Sequence, residues 1–177
     1  MNKIVATLLC WVALLAALFA AGPPRRAPGF CLIDASGQWQ DLADYRGKTV
    51  LVEFIQTTCP HCAAFSTVLN GLKLKYADKV AVLAIANPPD SPQTMTQFVN
   101  GHKLNYPLLL DQGQVAASYV RSPSLDLPAV YLIDANGMIR NSWQYGVLTK
   151  DVFEGNGLSR EIDKVLAGAP AAAPARK

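Results

Sequence analysis

The sequence predicts an α/β fold in which helices cover both faces of a central mixed β-sheet. Two continuous apolar runs of strand length, residues 49–55 (TVLVEFI) and 80–86 (VAVLAIA), are typical of strands that are buried on both faces. A segment with helical periodicity separates them, which makes a β-α-β unit. Residues 129–146 (AVYLIDANGMIRNSWQYG) then have the pattern of an antiparallel hairpin, so the sheet contains both strand directions.

The elements around the first buried strand follow from turn residues and periodicity. Residues 30–42 (FCLIDASGQWQDL) predict two short strands around a Gly turn, and residues 45–48 (YRGK) predict a second turn. Residues 62–76 (CAAFSTVLNGLKLKY) predict a helix, because their apolar side chains recur at helical spacing.

The later elements complete the domain in the order helix, strand, helix, hairpin and helix: residues 91–104, 106–111, 114–120, 129–146 and 158–168. Ser91 is a plausible N-cap for the first of these helices, and Pro92 fits its first position. The Asn136–Gly137 pair supplies the turn of the hairpin.

Both ends of the chain differ in composition from the predicted domain at residues 28–168. Residues 1–22 predict either a signal peptide or an N-terminal membrane anchor, because the uncharged apolar stretch 4–21 approaches the length of a membrane-spanning helix. Either interpretation exports the domain to an oxidising compartment, periplasmic or otherwise extracytoplasmic. Residues 23–27 predict a short linker, and residues 169–177 predict a disordered Ala/Pro tail.

Composition excludes some classes of function. The chain has 177 residues, 51% of them hydrophobic, which is enough for a core that needs no disulfide staples. Its net charge is only +3, and no Lys/Arg cluster marks a nucleic-acid surface. We therefore expect no nucleic-acid partner.

The cysteines carry the main functional signal: Cys10, Cys31, Cys59 and Cys62. A structural zinc site needs four ligands, but the chain has two histidines, and His61 lies between the last two cysteines. Covalent haem attachment needs His directly after the second Cys of a Cys-x-x-Cys pair, and Ala63 stands there. A structural disulfide closing so small a loop would constrain the unfolded chain little. The CPHC motif therefore predicts a redox-active pair and no metal.

The position of the pair supports redox chemistry. Cys59 falls where the predicted strand becomes a helix, with Pro60 at the first helical position. Free N–H groups and the positive end of the helix dipole should stabilise a thiolate there, and His61 can add a hydrogen bond or a positive charge. A stabilised thiolate makes the disulfide more oxidising. Cys62, one turn into the helix, is placed to resolve a mixed disulfide.

Cys31 alternates with Phe30 and Leu32 in the first predicted strand. We interpret it as a buried, inert thiol, and the alternative is a third redox-active thiol.

Residues 27–168 resemble the thioredoxin-fold thiol–disulfide oxidoreductases of the exported TlpA/ResA-like redoxin group. The matching segments run in order along the chain: APGFCLIDASGQWQDLADYRGKTVLVEF, CPHC, YPLLLDQGQVAASYV and LPAVYLIDANGMI. The resemblance implies a thioredoxin-like fold with an N-terminal hairpin and an inserted strand–helix segment. It also implies an enzyme that exchanges disulfides with protein thiols through a Cys59–Cys62 disulfide. No cofactor is expected, because the electrons are held in the disulfide, and a membrane redox partner is expected to serve a domain tethered through residues 4–21.

The resemblance also implies roles for three further residues. Pro128 matches the family's cis-proline, which would expose the backbone of Leu127 to an extended substrate. Glu53 matches a buried acid below the redox pair. It is also the only charge in its strand, so burial should raise its pKa, and it could take a proton from Cys62. The alternatives are a plain trans-proline and a satisfied structural Glu at the edge of the sheet.

Two departures from the family leave the direction of electron flow open. Thr58 stands where many relatives have Trp before the first Cys. The Pro-His pair between the cysteines resembles DsbA-like oxidases more than the reductants of cytochrome c biogenesis.

Two other classes of function were weighed. A thiol-dependent peroxidase of the peroxiredoxin-related group would need Thr or Ser at position 56 and Pro at 52, where this chain has Gln56 and Val52. A non-catalytic binding module of the same fold would normally lack one of the two cysteines.

Overall fold

A six-stranded mixed sheet forms the centre of the computed structural model, which describes residues 25–122 and 124–168. In chain order the strands of these residues are β1 (Arg25–Arg26), β2 (Cys31–Ile33), β3 (Trp39–Asp41), β4 (Thr49–Ile55), β5 (Val80–Ala86), β6 (Leu108–Leu110), β7 (Ala129–Ile133) and β8 (Met138–Gln144). Six of them pair in the order β1-β8-β7-β4-β5-β6, and β2 with β3 forms a separate hairpin. Strands β4, β5 and β6 are parallel, whereas β7 is antiparallel to both β4 and β8, so the predicted mixed sheet is confirmed.

Five α-helices flank the sheet in the described part of the chain: α1 (Pro60–Tyr76), α2 (Pro92–His102), α3 (Gln114–Tyr119), α4 (Lys150–Phe153) and α5 (Asn156–Gly168). Four of them are the predicted helices, and only the short α4 was not predicted. Ser91 caps α2 as expected, because its hydroxyl accepts the N–H of Thr94 while the Thr94 hydroxyl accepts the N–H of Ser91.

Helices cover both faces of the sheet. Alternate residues of β4 point to opposite sides, so Leu51 and Ile55 pack under α1, α2 and α5, while Val52 and Phe54 pack under α3 and the N-terminal segment. Every residue of β4 and β5 is buried, which explains why both strands are continuous apolar runs.

The folded domain begins earlier than the sequence predicts. Arg25 and Arg26 lie in the segment predicted as a linker, but they form β1 on the free edge of β8, and Ala27 is buried. The guanidinium of Arg25 also donates to the backbone carbonyl of Tyr119 at the end of α3. Because the edge of β8 offers unpaired backbone groups, a two-residue strand can pair there despite the neighbouring prolines.

The exposure of Cys31 corrects a second prediction. Phe30 is buried and Leu32 packs on the core, whereas the Cys31 side chain points outward and is exposed. Strand alternation places neighbouring residues on opposite faces, and here the two apolar neighbours occupy the inner face. The interpretation of Cys31 as a buried thiol is therefore wrong, and its redox activity stays a prediction.

Residues 1–22 and 169–177, for which a leader and a tail are predicted, lie outside the described residues. Within residues 25–122 and 124–168, none of the helices combines the length and the apolar character needed to cross a bilayer.

Candidate active site

The turn from β4 into α1 positions the two cysteines of the CPHC motif. Cys59 is the N-cap residue of α1, with extended backbone angles (φ −83°, ψ 117°), and Pro60 is the first helical residue. The Cys59 sulfur accepts the backbone N–H of Cys62 at 3.2 Å. The sulfur thus lies at the N-terminus of a 17-residue helix, as predicted, where an N–H donor and the helix dipole favour a negative charge.

The two sulfurs have different environments. Cys59 is half-buried and faces a surface groove, whereas Cys62 is fully buried. Burial, reinforced by the hydrogen bond to the Cys59 sulfur and by the nearby Glu53 carboxylate, raises the pKa of the Cys62 thiol. Cys59 can therefore meet another molecule, and Cys62 needs a base before it can react. Both are free thiols here, so the Cys59–Cys62 disulfide stays a prediction.

Glu53 lies in the middle of the sheet. Its strand β4 runs between β5 and β7, where Glu53 pairs with Ala84 and Val130, so the alternative of a Glu at the edge of the sheet is wrong. Its side chain is buried, and its Oε1 atom has no hydrogen-bond partner in the described residues. Burial raises the pKa of Glu53 well above its ordinary value, which makes it an acid that can hold a proton at neutral pH.

The Leu127–Pro128 peptide bond is cis, as the resemblance implies. The thiol of Cys59 lies 3.8 Å from the backbone carbonyl oxygen of Leu127, and Pro128 is buried behind it. The backbone N–H of Tyr145 donates to the carbonyl oxygen of Pro128 at 3.0 Å, which ties this segment to the end of β8.

His61 contacts an aromatic residue that the sequence did not reveal. Its imidazole ring stacks on the ring of Tyr145, with centroids 4.0 Å apart and planes 19° apart. Tyr145 in turn packs edge-on against Phe153 of α4. The imidazole is therefore held against a wall beside the pair. No local pattern connects Tyr145 to the CPHC motif, because the two are more than 80 residues apart.

A groove of about 500 Å³ opens beside Cys59, and its lining comes from three segments: Gln56, Thr58, Cys59, Pro60, Leu125, Asp126, Leu127 and Tyr145. One wall is polar, at Gln56 and Thr58. The opposite wall carries two leucines and Tyr145, so an aromatic surface is present although Thr58 replaces the expected Trp.

The loop after β5 holds the polar wall in place. The backbone N–H of Thr57 donates to the Asp90 carboxylate at 2.9 Å, and the Thr57 hydroxyl donates to the same carboxylate. The side-chain amide of Gln56 donates to the carbonyl oxygen of Pro88 at 2.6 Å. Asp90 was not predicted as a site residue, because it reaches the motif only through the parallel pairing of β4 with β5.

Comparison with known proteins points to one group. The model of the AhpC/TSA family matches residues 23–142 of this chain. The thioredoxin-like protein YneN of Bacillus subtilis is 31% identical over 132 residues, which are 73% of this chain and 75% of that protein. The thiol-disulfide oxidoreductase ResA of Geobacillus kaustophilus is 32% identical over 129 residues, which are 72% of each protein.

Solved structures show the same fold. The thioredoxin domain of a thiol-disulfide oxidoreductase from Bacteroides vulgatus is similar with a TM-score of 0.65 and 22% identity, covering 81% of this chain and 98% of that domain. A secreted Mycobacterium tuberculosis disulfide oxidoreductase homologous to E. coli DsbE gives a TM-score of 0.60 at 24% identity, covering 76% and 95% of the two chains. The predicted thioredoxin-like fold is therefore confirmed.

Proposed function

The chain belongs to the AhpC/TSA family and is a thiol–disulfide oxidoreductase, and on that basis we propose that it exchanges disulfides with exported proteins through Cys59 and Cys62. One observation carries the proposal. An accessible sulfur at a helix N-terminus lies 3.8 Å from the Leu127 carbonyl before a cis-proline, while its partner sulfur is fully buried near a buried acid. The two thiols thus have unequal tasks, and the accessible one faces the groove.

In the reducing direction, the Cys59 thiolate attacks one sulfur of a substrate disulfide. The substrate S–S bond breaks, one substrate sulfur leaves as a thiolate that takes up a proton, and the other stays bonded to Cys59. Cys62 then gives its proton to Glu53 and attacks the Cys59 sulfur. The mixed disulfide breaks and the Cys59–Cys62 disulfide forms, so two electrons have passed to the substrate. The reverse sequence oxidises a substrate dithiol.

The groove fits an extended protein segment. The exposed backbone of Leu127, next to Pro128, offers hydrogen-bonding groups to a peptide that runs alongside it, as in other forms of strand addition. The leucines and Tyr145 would contact apolar side chains of that peptide, whereas Gln56 and Thr58 tolerate polar ones. The substrate class is therefore a protein thiol or disulfide on an accessible, extended segment.

Export and a membrane partner belong to the same proposal. The apolar stretch 4–21 supports delivery to the periplasm or an equivalent compartment, with the stretch retained as an anchor or cleaved as a signal peptide. In such a compartment the pair must be recharged after each cycle, and a membrane redox protein is the partner that could do so.

The direction of electron flow can be measured directly by thiol trapping of Cys59 and Cys62 in intact cells. A pair that is mostly oxidised supports an oxidase, and a mostly reduced pair supports a reductase that is supplied with electrons through the membrane.

The central experiment compares purified full-length protein in three assays: reduction of insulin disulfides, refolding of a scrambled disulfide protein, and reduction of peroxide. We expect activity in the first two and its loss in Cys59→Ala. If the intact, reducible pair exchanges no disulfides, the proposal is wrong.

Neither alternative function is favoured by the site. At the two positions that a peroxidase would use, Gln56 is bonded to the carbonyl oxygen of Pro88, and Val52 packs on the face of the sheet away from α1. A non-catalytic module would have no need of two sulfurs in unequal environments.

His61 is expected to make the pair more oxidising. Replacing His61 with Ala should remove a stabilising contact to the Cys59 thiolate and make the pair more reducing, by about 30 mV for each tenfold change in the exchange equilibrium. The measurement is the equilibrium with a glutathione buffer. His102→Ala, at the distant end of α2, is the matched control. An unchanged potential in His61→Ala would remove His61 from the mechanism.

A further inference from the structure

Two buried polar atoms near the redox pair lack hydrogen-bond partners in the described residues. They are Oε1 of Glu53 and the hydroxyl of Tyr106, which is buried at the start of β6. Leaving a buried polar group unpaired costs about 1–3 kcal/mol, so such groups in a folded protein call for an explanation. The proposed function gives Glu53 a task, but it leaves Tyr106 without one.

The two side chains lie on the same face of the sheet. Glu53 on β4 pairs with Ala84 on β5, and Ala84 pairs with Leu108 on β6. Tyr106 precedes Leu108 by two residues, so strand alternation gives it the same face, and it belongs to the same core cluster as Leu108 and Cys62. Two strand spacings, about 10 Å, separate β4 from β6, a distance that a Glu and a Tyr side chain together can bridge.

The residue between them leaves room for that approach. Ala84 carries only a methyl group, so the space above it can be filled from both sides. The pKa of Tyr106 is raised first by burial and then by the negative charge of Glu53, which is a further sign that the two groups are close. A tyrosine with a raised pKa keeps its proton at neutral pH and can both accept and donate one.

Tyr106 also reaches a second opening of the protein. It lines a cavity of about 390 Å³ between β6 and the β2–β3 hairpin, whose polar lining includes Asp34, Gln40, Tyr45 and Asn105. This cavity shares no lining residue with the groove beside Cys59. A path through Tyr106 would therefore join Glu53 to solvent without crossing the groove.

We propose that the Tyr106 hydroxyl is the proton outlet of Glu53, passing the proton that Glu53 takes from Cys62 to the cavity beside β6. The inference rests on the proposed function, in which Cys62 gives its proton to Glu53 while substrate is still bonded to Cys59. At that moment the substrate covers the groove, so a proton leaving through the groove would have to pass the bound peptide. The cavity beside β6 stays open.

The proton balance is simple. Glu53 gives its proton to the Tyr106 oxygen, and the hydroxyl proton of Tyr106 passes to water in the cavity. Tyr106 is neutral before and after, and Glu53 is again a carboxylate. Where one bound water lies between the two side chains, the same transfer runs through it. Tyr106 touches neither the substrate nor the sulfurs, so it is a positioning residue that acts through Glu53.

The groups that surround Glu53 make its titration readable. Cys62 of α1 and Tyr106 are the titratable groups that face it among the described residues. Its strand neighbours Ala84 and Val130 are apolar. Helices α2 and α5 contribute apolar side chains to this core: Met95, Phe98, Leu158 and Ile162. A change at Tyr106 should therefore appear in the pH dependence of the Glu53 step.

The test is Tyr106→Phe in the full-length protein, which removes only an unpartnered hydroxyl. A mixed disulfide between Cys59 and a small aromatic thiol is formed, and release of that thiol is followed across pH in H₂O and in D₂O. We expect release to slow by about tenfold, with a larger solvent isotope effect. We also expect the pH profile to shift upward, because the Glu53 carboxylate loses a donor. Alkylation of Cys59 should be unchanged.

Two further variants separate the outcomes. Tyr45→Phe is the matched control, because Tyr45 lines the same cavity but donates its hydroxyl to Gln40 at 2.6 Å. Leu104→Phe reduces the cavity and should slow release in the same direction, which keeps the test open if Tyr106→Phe folds poorly. If Glu53→Gln slows release while the Tyr106 and Leu104 variants behave like Tyr45→Phe, the outlet is wrong and the proposed function stands. If Glu53→Gln has no effect, the role of Glu53 fails and the outlet fails with it.

Discussion

Replacing Cys62 with Ala leaves the protein covalently bonded to its substrates through Cys59 and lowers steady-state turnover by at least about 10²-fold. The reason is the unequal placement of the two sulfurs. Cys59 faces the groove and can still attack a substrate disulfide, but the buried Cys62 is the thiol that would release the mixed disulfide. The measurement is non-reducing electrophoresis of the variant after exposure to substrate, followed by mass spectrometry of the cross-linked peptides.

The controls for this experiment come from the other cysteines. Cys59→Ala should give no cross-linked species, because the attacking sulfur is gone. Cys31→Ala in the Cys62→Ala background should leave the cross-links in place, since Cys31 lies on the β2–β3 hairpin, outside the groove lining. Cross-links that pass through Cys31, or no cross-links at all, would contradict the assigned order of attack.

The parts of the site that could be predicted from the sequence depend on neighbouring residues. Cys59 at a helix N-terminus follows from an apolar strand, a Cys and a Pro in succession, since the proline fits only the first turn of a helix. Burial of Glu53 follows from the apolar residues around it in β4. In both cases the physical cause lies within a few residues of the chain, so the pattern contains it.

The parts that could not be predicted depend on contacts between distant segments. Strand β1 exists because β8, more than 100 residues later, offers it a free edge. Tyr145 reaches His61, and Asp90 reaches Thr57, only after the sheet has assembled. The outward position of Cys31 had a different cause. Alternation predicts that neighbouring residues face opposite sides, but it does not say which side is the core.

Replacing Glu53 with Gln is expected to slow the release of a mixed disulfide by about 10²-fold, the usual effect of losing a general base, while attack by Cys59 is retained. Gln has nearly the same shape but cannot take the proton of Cys62, whose pKa is raised chiefly by burial. The measurement is single-turnover release of a thiol bonded to Cys59. The exposed Glu154→Gln, at the end of α4, is the matched control. Release at the wild-type rate across pH would contradict the role of Glu53.

The same variant should also change how stability depends on pH. The pKa of Glu53 is raised in the folded protein above its ordinary value of 4.5, so below that pH both the folded and the unfolded chain hold the proton and nothing is lost. As the pH rises past 4.5, the unfolded chain releases its proton while the folded protein keeps it, so the free energy of unfolding falls until the folded pKa is passed. Glu53→Gln removes this loss. Urea unfolding at about pH 4 and about pH 8 should therefore show the variant gaining stability over the wild type only at the higher pH. Equal gains at both pH values would mean that Glu53 is not the buried acid that titrates, and slow release in Glu53→Gln would then need a cause other than proton transfer.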